Sequence, residues 1–369
     1  AILARLPKQR RTGLFSATMG AEVEALARAG LRNPRQVKVS VQGRAAAQST
    51  PLQLENEYII GPETQKLCEL VRFLRLHPDK KVMVYVLTCA QVDYLAKLLP
   101  LLPSLAGLRF DSLHGKMVQK RRSKTYATFT AGHAGVLLCT DVAARGLDIP
   151  DVDWIVQLDA PQDPTFFIHR VGRTARFGRE GRSLVLLAPH EDAYVAFLKL
   201  RKVPLKEVAG RADEAGARAL QAEARAVIAQ DLELHQQGTR AFVSLVRAYR
   251  EHQCNYIFQL DKLNLGGVAF YMGLLRLPKM PELNGLKVSH FSADASVDVY
   301  ALEYKDKARE KARRLREEKR AAEEAAKVGE RGDQRVQRMK NLPWSQSNKR
   351  LAKEVKKEEK IVAKGKKKR

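Results

Sequence analysis

Between residues 56 and 201 the chain alternates short apolar runs with longer stretches of mixed polarity. The runs 82–87, 108–113, 135–139, 154–158 and 183–187 are continuously apolar rather than alternating, the pattern of strands buried on both faces. Helix-like stretches at 90–99, 118–129 and 164–171 separate most of them. Strands alternating with helices predict an α/β fold with a parallel sheet covered on both sides. In such sheets ligands bind at the loops beyond the strand C-termini.

The flanks read differently. Residues 1–40 hold a short apolar strand at 12–15 and a helix at 21–29, and 41–53 lacks periodicity and reads as a linker. From 202 the strands stop. Phe242, Leu245, Val246 and Tyr249 fall at i, i+3, i+4 and i+7, one apolar face of a helix, with Arg240, Ser244 and Glu251 on the other. A second helix is expected over 265–275, so 202–300 reads as a small, mainly helical domain. Residues 301–369 are a charged tail. Within it, 305–327 is rich in Ala, Glu, Lys and Arg, and the pairs Glu310–Arg314 and Glu323–Lys327 predict a solvated helix. The final 365–369, Gly-Lys-Lys-Lys-Arg, is expected to be disordered and reads either as a nuclear-localisation signal or as a nonspecific basic end.

Charge sharpens this picture. The 369 residues carry 66 Lys and Arg against 41 Asp and Glu, a net +25. Residues 305–369 alone hold 25 basic and 11 acidic side chains, so +14 of that excess lies in the tail. A polyanionic partner follows, nucleic acid before membrane. No apolar run approaches the roughly 18 residues a membrane span needs, and no signal peptide is recognisable. The first residue is Ala1, not Met, which suggests a piece of a longer protein. Cys68, Cys89, Cys139 and Cys254 form no C-x-x-C pair, so they read as buried, reduced thiols rather than a zinc or disulfide framework, in keeping with the cytosol or nucleus.

The chemistry concentrates at 169–176, His-Arg-Val-Gly-Arg-Thr-Ala-Arg. On a helix Arg170, Arg173 and Arg176 share a face, which predicts that the three guanidinium groups converge on one ligand. Their planar donors match phosphate oxygens and stay charged at any working pH.

With its neighbours this segment closely resembles the C-terminal recA-like lobe of the DEAD-box RNA helicases. Ser16-Ala17-Thr18 resembles motif III, 84–88 motif IV, Gln119-Lys120-Arg121-Arg122 the Q-x-x-R element, 140–148 motif V, and 169–176 motif VI, H-R-x-G-R-x-x-R. The resemblance covers roughly residues 12–201. His169 favours this branch over the DEAH-box enzymes, whose motif usually begins with Gln.

The resemblance implies roles. Arg173 and Arg176 would be arginine fingers reaching ATP phosphates across the interdomain cleft. Asp148 would approach the ATP ribose, with Gly146 allowing close backbone approach. His169 and Arg170 would couple to motifs of the partner lobe, and Ser16 and Thr18 would relay nucleotide state to RNA grip. Gly115, Arg122, Thr140 and Arg145 would meet the RNA backbone, which positions a strand without reading its bases.

One departure matters. The family's P-loop, Q motif and Asp-Glu-Ala-Asp box precede motif III, and no G-x-x-x-x-G-K-[ST] occurs in this sequence. Asp213-Glu214-Ala215-Gly216 matches that box in letters only and is expected to be a loop. Residues 1–40 then resemble a remnant of the N-terminal lobe, and 54–201 the C-terminal lobe. Residues 202–283 resemble the extension of DEAD-box proteins of large ribosomal subunit biogenesis, nearest the Spb4-like branch. The expectation is an ATP-dependent RNA helicase with ATP and Mg2+ as cofactors, those being held mainly by the N-terminal lobe, and this stretch alone being inactive. Its partners would be ribosomal RNA and pre-ribosomal proteins, its place the nucleus and nucleolus, its state monomeric and its membrane contact none. The alternative is a non-catalytic RNA-binding or pre-ribosome assembly module. A DNA-remodelling helicase lobe is disfavoured by the form of motif VI.

Overall fold

The computed structural model describes residues 50–51, 53–141, 149–176, 178–283 and 288–320, together with scattered positions between 5 and 37. The chain divides into two compact units, 1–303 and 304–369.

The first unit is built on a seven-stranded sheet. Its strands are β1 (Leu54–Ile60), β2 (Lys81–Tyr85), β3 (Phe110–Leu113), β4 (Gly135–Cys139), β5 (Trp154–Gln157), β6 (Gly181–Leu187) and β7 (Lys206–Glu207). They lie in the order β3-β4-β2-β5-β6-β1-β7 and all pair in parallel. This is the recA-like arrangement. The strands predicted at 82–87, 108–113, 135–139, 154–158 and 183–187 are present with ends shifted by up to two residues. Two strands escaped the apolar pattern. β1 carries Glu55, Asn56 and Glu57 in its first half, and β7 is two exposed residues on an edge.

Helices α1 (Lys66–Leu76) and α2 (Cys89–Leu98) carry the chain toward the β3 edge. Helices α3 (Gln119–Ala131) and α4 (Phe166–Val171) carry it back. Right-handed crossovers in opposite directions fall on opposite faces, so α1 and α2 cover one face while α3 and α4 cover the other. Both parities of the central strands are therefore buried; every residue of β2 and β4 is. Met83, Tyr85, Leu137, Cys139 and Ile155 pack with Phe129 of α3 in one core cluster. Burial pushes the Cys139 thiol far up, so it is an inert core group. Cys68 and Cys254 are also buried, whereas Cys89, expected to be buried, is only half so because it opens α2 beside the sheet edge.

Helix α5 (Ala193–Leu200) follows β6, and three further helices form the extension: α6 (Glu214–Ile228), α7 (Leu232–Arg250) and α8 (Leu265–Tyr271). Asp213, Asp231 and Asn264 cap them by accepting from backbone N–H groups of the first turn. Asp213-Glu214-Ala215-Gly216 is thus a helix start, not the expected loop: Asp213 Oδ1 accepts from Gly216 N at 2.8 Å. Phe242, Leu245, Val246 and Tyr249 are buried as their spacing predicts. α7 crosses α2 closely at Gly238, where a Cβ would stand 3.0 Å from a Tyr94 ring carbon. α8 ends four residues before the predicted 275, because the chain turns at Gly273 with φ +65°.

The strand expected at 12–15 is not formed. Phe15 is 95% exposed, and no described residue pairs with the segment to supply the ladder a strand requires. The helix expected at 21–29 falls largely outside the described residues, as does most of the 41–53 linker. In the second unit 307–320 is helical, and Glu310 accepts from Arg313 and from Arg314 Nε at 3.0 Å. The Glu323–Lys327 pair and the end of the tail lie outside the described residues.

Candidate functional site

The C-terminal edge of the sheet gathers the partners of Arg170 and the RNA candidates, while the turn that follows α4 packs at the start of β5 and β6. The ladder rows end with Leu113 opposite Cys139, Cys139 opposite Tyr85, and Tyr85 opposite Gln157. The next row of the chain is His114, Thr140, Val86 and Leu158, the position where α/β sheets bind ligands.

Arg170 dominates this edge from within. It is 1% exposed. Its Nε and Nη2 donate to the two carboxylate oxygens of Asp141 at 2.5 and 2.9 Å. Its Nη1 donates to Gln157 Oε1 at 3.0 Å and to the Asp159 carbonyl at 2.8 Å, and the guanidinium lies 4.9 Å from the Tyr85 ring centroid. Burial works against the charge, but Asp141 more than offsets it, so the Arg170 pKa stands above its ordinary value. A fork–fork pair this deep is satisfied on every side.

This corrects the expected convergence of three arginines. α4 ends at Val171, and Arg173 and Arg176 lie beyond it in a turn, where Ala175 takes φ 54°. Arg170 points into the lobe; Arg173 and Arg176 are half-buried at the surface. Between them Thr174 is buried and donates through Oγ1 to the Val152 carbonyl at 2.5 Å. Arg173 Nε donates to the His169 carbonyl at 3.3 Å, and Arg176 Nε donates to the Gly172 carbonyl at 2.9 Å. These bonds orient two guanidinium groups on a turn pinned from below by Arg170 and Thr174. Gly181 makes the pinning possible, since a Cβ there would sit 2.4 Å from Ala175 N. His169 is half-buried, with its ring 5.8 Å from that of Phe166.

The RNA candidates lie along the same edge toward β3. Thr140 follows β4, is buried, and its Oγ1 has no hydrogen-bond partner among the described residues. His114 is buried after β3, with Nε2 3.0 Å from Asp93 Oδ1, and this anchor leaves the adjoining Gly115 exposed. Arg122 stands in the first turn of α3, 3.5 Å from Gln119 Oε1. The structure thus sets His169, Arg173 and Arg176 on one loop and Gly115, Arg122 and Thr140 around the ends of β3 and β4. Ser16, Thr18, Arg145, Gly146 and Asp148 lie outside the described residues.

The donor set fits phosphate. Among the described residues no group of three His, Cys, Asp or Glu side chains is placed to hold a metal ion. No described helix is long and apolar enough to cross a membrane. The sequence reading missed Asp141, Gln157, Asp159 and Thr174 as the supports of motif VI. Asp141 stood inside the motif V segment, but nothing in its spacing from Arg170 showed a 29-residue contact.

Comparison with known proteins agrees with this geometry. Residues 63–178 match the helicase conserved C-terminal domain, and residues 231–280 match the C-terminal extension of ATP-dependent rRNA helicase SPB4-like proteins. DEAD-box ATP-dependent RNA helicase 18 of Oryza sativa subsp. japonica is 49% identical over 337 residues, 88% of this chain and 52% of that protein. ATP-dependent RNA helicase DDX55 of Homo sapiens is 43% identical over 347 residues, 93% of this chain and 56% of that protein. The chain spans about half the length of these relatives. A solved structure of Mss116p bound to ssRNA and AMP-PNP shares the fold, with a TM-score of 0.60 and 24% identity over 71% of this chain and 51% of that one. With both domains in order on one chain, the chain belongs to the DEAD-box RNA helicase family and carries its C-terminal recA-like lobe followed by a Spb4-like extension.

Proposed function

We propose that this chain is the ATP-sensing and RNA-gripping second lobe of an ATP-dependent RNA helicase that remodels ribosomal RNA during large-subunit biogenesis. The observation that carries the reading is the motif VI turn: Arg170 is locked on Asp141, and Arg173 and Arg176 are held half-buried at the surface by bonds to the His169 and Gly172 carbonyls. The SPB4-like extension supports the ribosomal assignment, and the +14 tail supports an RNA partner.

ATP, bound with Mg2+ chiefly by an N-terminal lobe, supplies the phosphoryl group whose transfer to water resets the enzyme. Arg173 and Arg176 place positive charge where negative charge grows on the transferring group, and their prior orientation means little reorganisation at that moment. His169 and Arg170 hold the turn's geometry toward the other lobe. Gly115 leaves room for a sugar–phosphate backbone, while Arg122 and Thr140 offer donors to its oxygens. Contacts of this kind bend a strand without reading bases. Ser16, Thr18, Arg145, Gly146 and Asp148 complete the proposal through the family motifs, with Asp148 and Gly146 at the ribose. The 369 residues alone would not hydrolyse ATP. The protein would act as a monomer in the nucleolus with pre-ribosomal proteins.

RNA-stimulated ATP turnover by the full-length protein tests this reading. Turnover lost with Arg173→Ala supports it; RNA binding without any turnover in the wild type would favour the assembly-module reading instead.

A further inference from the structure

The last turn of α7 meets the loop that leads into α4 and motif VI. Residues 158–165 join β5 to α4, and Gln162 sits in the middle of that loop. Its side-chain Nε2 donates to the Glu251 carbonyl at 3.0 Å and to the Ala248 carbonyl at 3.4 Å, and its own carbonyl accepts from Gln253 N at 3.0 Å. The last carbonyls of a helix have no partner inside it, so Gln162 supplies a C-cap to α7 from another element.

One turn back along the contact, Tyr249 enters the lobe. Its OH donates to Glu191 Oε1 at 2.9 Å and lies 2.8 Å from His190 Nε2. Glu191 is 2% exposed; its Oε2 accepts from Ala188 N at 2.8 Å and lies 3.5 Å from Lys66 Nζ in α1. A third link is aromatic. Phe258 of the extension packs edge-on to Tyr194 of α5 at 5.1 Å, and Tyr194 packs against Phe167 of α4 at 6.3 Å. On the other side of the same loop, Asp159 is strapped to Arg170 through its carbonyl, and to Gln91 Nε2 through Oδ2 at 2.8 Å. The loop is thus held between the sheet edge and the extension.

We infer that Gln162 is a positioning residue, through which the helical extension fixes the pitch of α4 and hence the direction of Arg173 and Arg176. This rests on the finger role proposed above. Gln162 caps α7 and acts through α4, whereas the Tyr249 hydroxyl anchors the extension to Glu191 and His190 after β6. A reacting group displaced by about 1 Å costs on the order of 100-fold in rate, so a loosened loop reduces turnover without reducing ATP affinity to match.

The test uses Gln162→Ala, which removes a half-exposed cap. Gln162→Lys retains a donor and serves as the rescue. In the full-length protein, with saturating RNA and well below the melting temperature, kcat for ATP is expected to fall about 10-fold or more with KM changed less than about 3-fold. Gln162→Lys should recover most of it. In parallel, amide exchange over residues 166–176 of the 369-residue chain should quicken in Gln162→Ala while the sheet stays protected. Unchanged kcat together with unchanged exchange would overturn the inference, as would a lower melting temperature with kcat intact. Arg173→Ala is the control. If the wild type shows no turnover, the finger reading fails on its own, and the exchange comparison then decides whether the extension holds α4.

Discussion

The buried Arg170 and the partly exposed Asp141 form a two-point pair, with Nε–Oδ1 at 2.5 Å and Nη2–Oδ2 at 2.9 Å, across 29 residues of sequence. It ties the helix of motif VI to the end of β4. Arg170 is 1% exposed and Asp141 21%, so Asp141→Ala, which leaves the buried guanidinium without its carboxylate, should lose about 3–5 kcal/mol of stability. Arg170→Lys keeps the charge but not the fork, and should also destabilise. Urea unfolding of the lobe checks both. Wild-type midpoints would show that the pair does not hold the fold.

The fingers should behave in the opposite way. Arg173 and Arg176 are half-buried at the surface, and surface substitutions usually shift stability by no more than about 0.5 kcal/mol. Turnover in the full-length protein should nonetheless fall by roughly 10³–10⁵ for Arg173→Ala or Arg176→Ala. Measuring melting and turnover on the same preparations separates these residues from Arg170.

Gly181→Ala probes the floor beneath the turn. The added Cβ would meet Ala175 N at 2.4 Å and Thr174 Oγ1 at 2.5 Å, and the first is backbone that has no side-chain freedom to yield. The expected cost is about 1–3 kcal/mol, the range for overpacking. Turnover should drop with it, because the displaced residues lie between the two fingers. A variant as stable and active as the wild type would contradict this packing.

His252 should give the fold a pH dependence of known sign. It is 3% exposed, accepts at Nδ1 from Cys254 N and stacks on Phe258, and burial pushes its pKa down to about 4. Its folded value lies below the ordinary 6.5, so the unfolded chain takes up the proton first. Its contribution is complete above about pH 6.5 and is lost as pH falls toward 4, by about 3 kcal/mol in all. Unfolding midpoints at pH 7 and 4.5, for wild type and His252→Asn, isolate this term, since other titrations cancel in the difference. Equal pH slopes would rule it out.

The tail should dominate RNA affinity. It carries +14 of the net +25 and has Trp344 as its one aromatic residue, so its binding is expected to be electrostatic and driven by counterion release rather than stacking. Deleting 305–369 should weaken binding of a labelled RNA and flatten its salt dependence. Equal affinity and equal slope would assign the contact to the lobe and extension instead.

The sequence by itself determined the fold class of this protein and the identity of its chemistry. Continuous apolar runs such as 135–139 mark doubly covered strands, because an interior parallel strand has no polar face to show. The segment 169–176 was legible because its meaning lies in residue type and short spacing. Tertiary structure alone decided what each arginine does. Helical spacing puts Arg170, Arg173 and Arg176 on one face, but α4 stops at Val171, and the partner that draws Arg170 inward is Asp141, 29 residues away. The same limit hid β1, whose polar first half is tolerated because Asn56 meets Ser183 Oγ at 2.7 Å through its Oδ1. It also hid the Gln162 cap, which joins residues 86 and 89 positions apart. Local pattern reports the burial of an element; it carries no record of which distant side chain completes a buried charge or an open helix end, because that pairing is set only when the sheet order is.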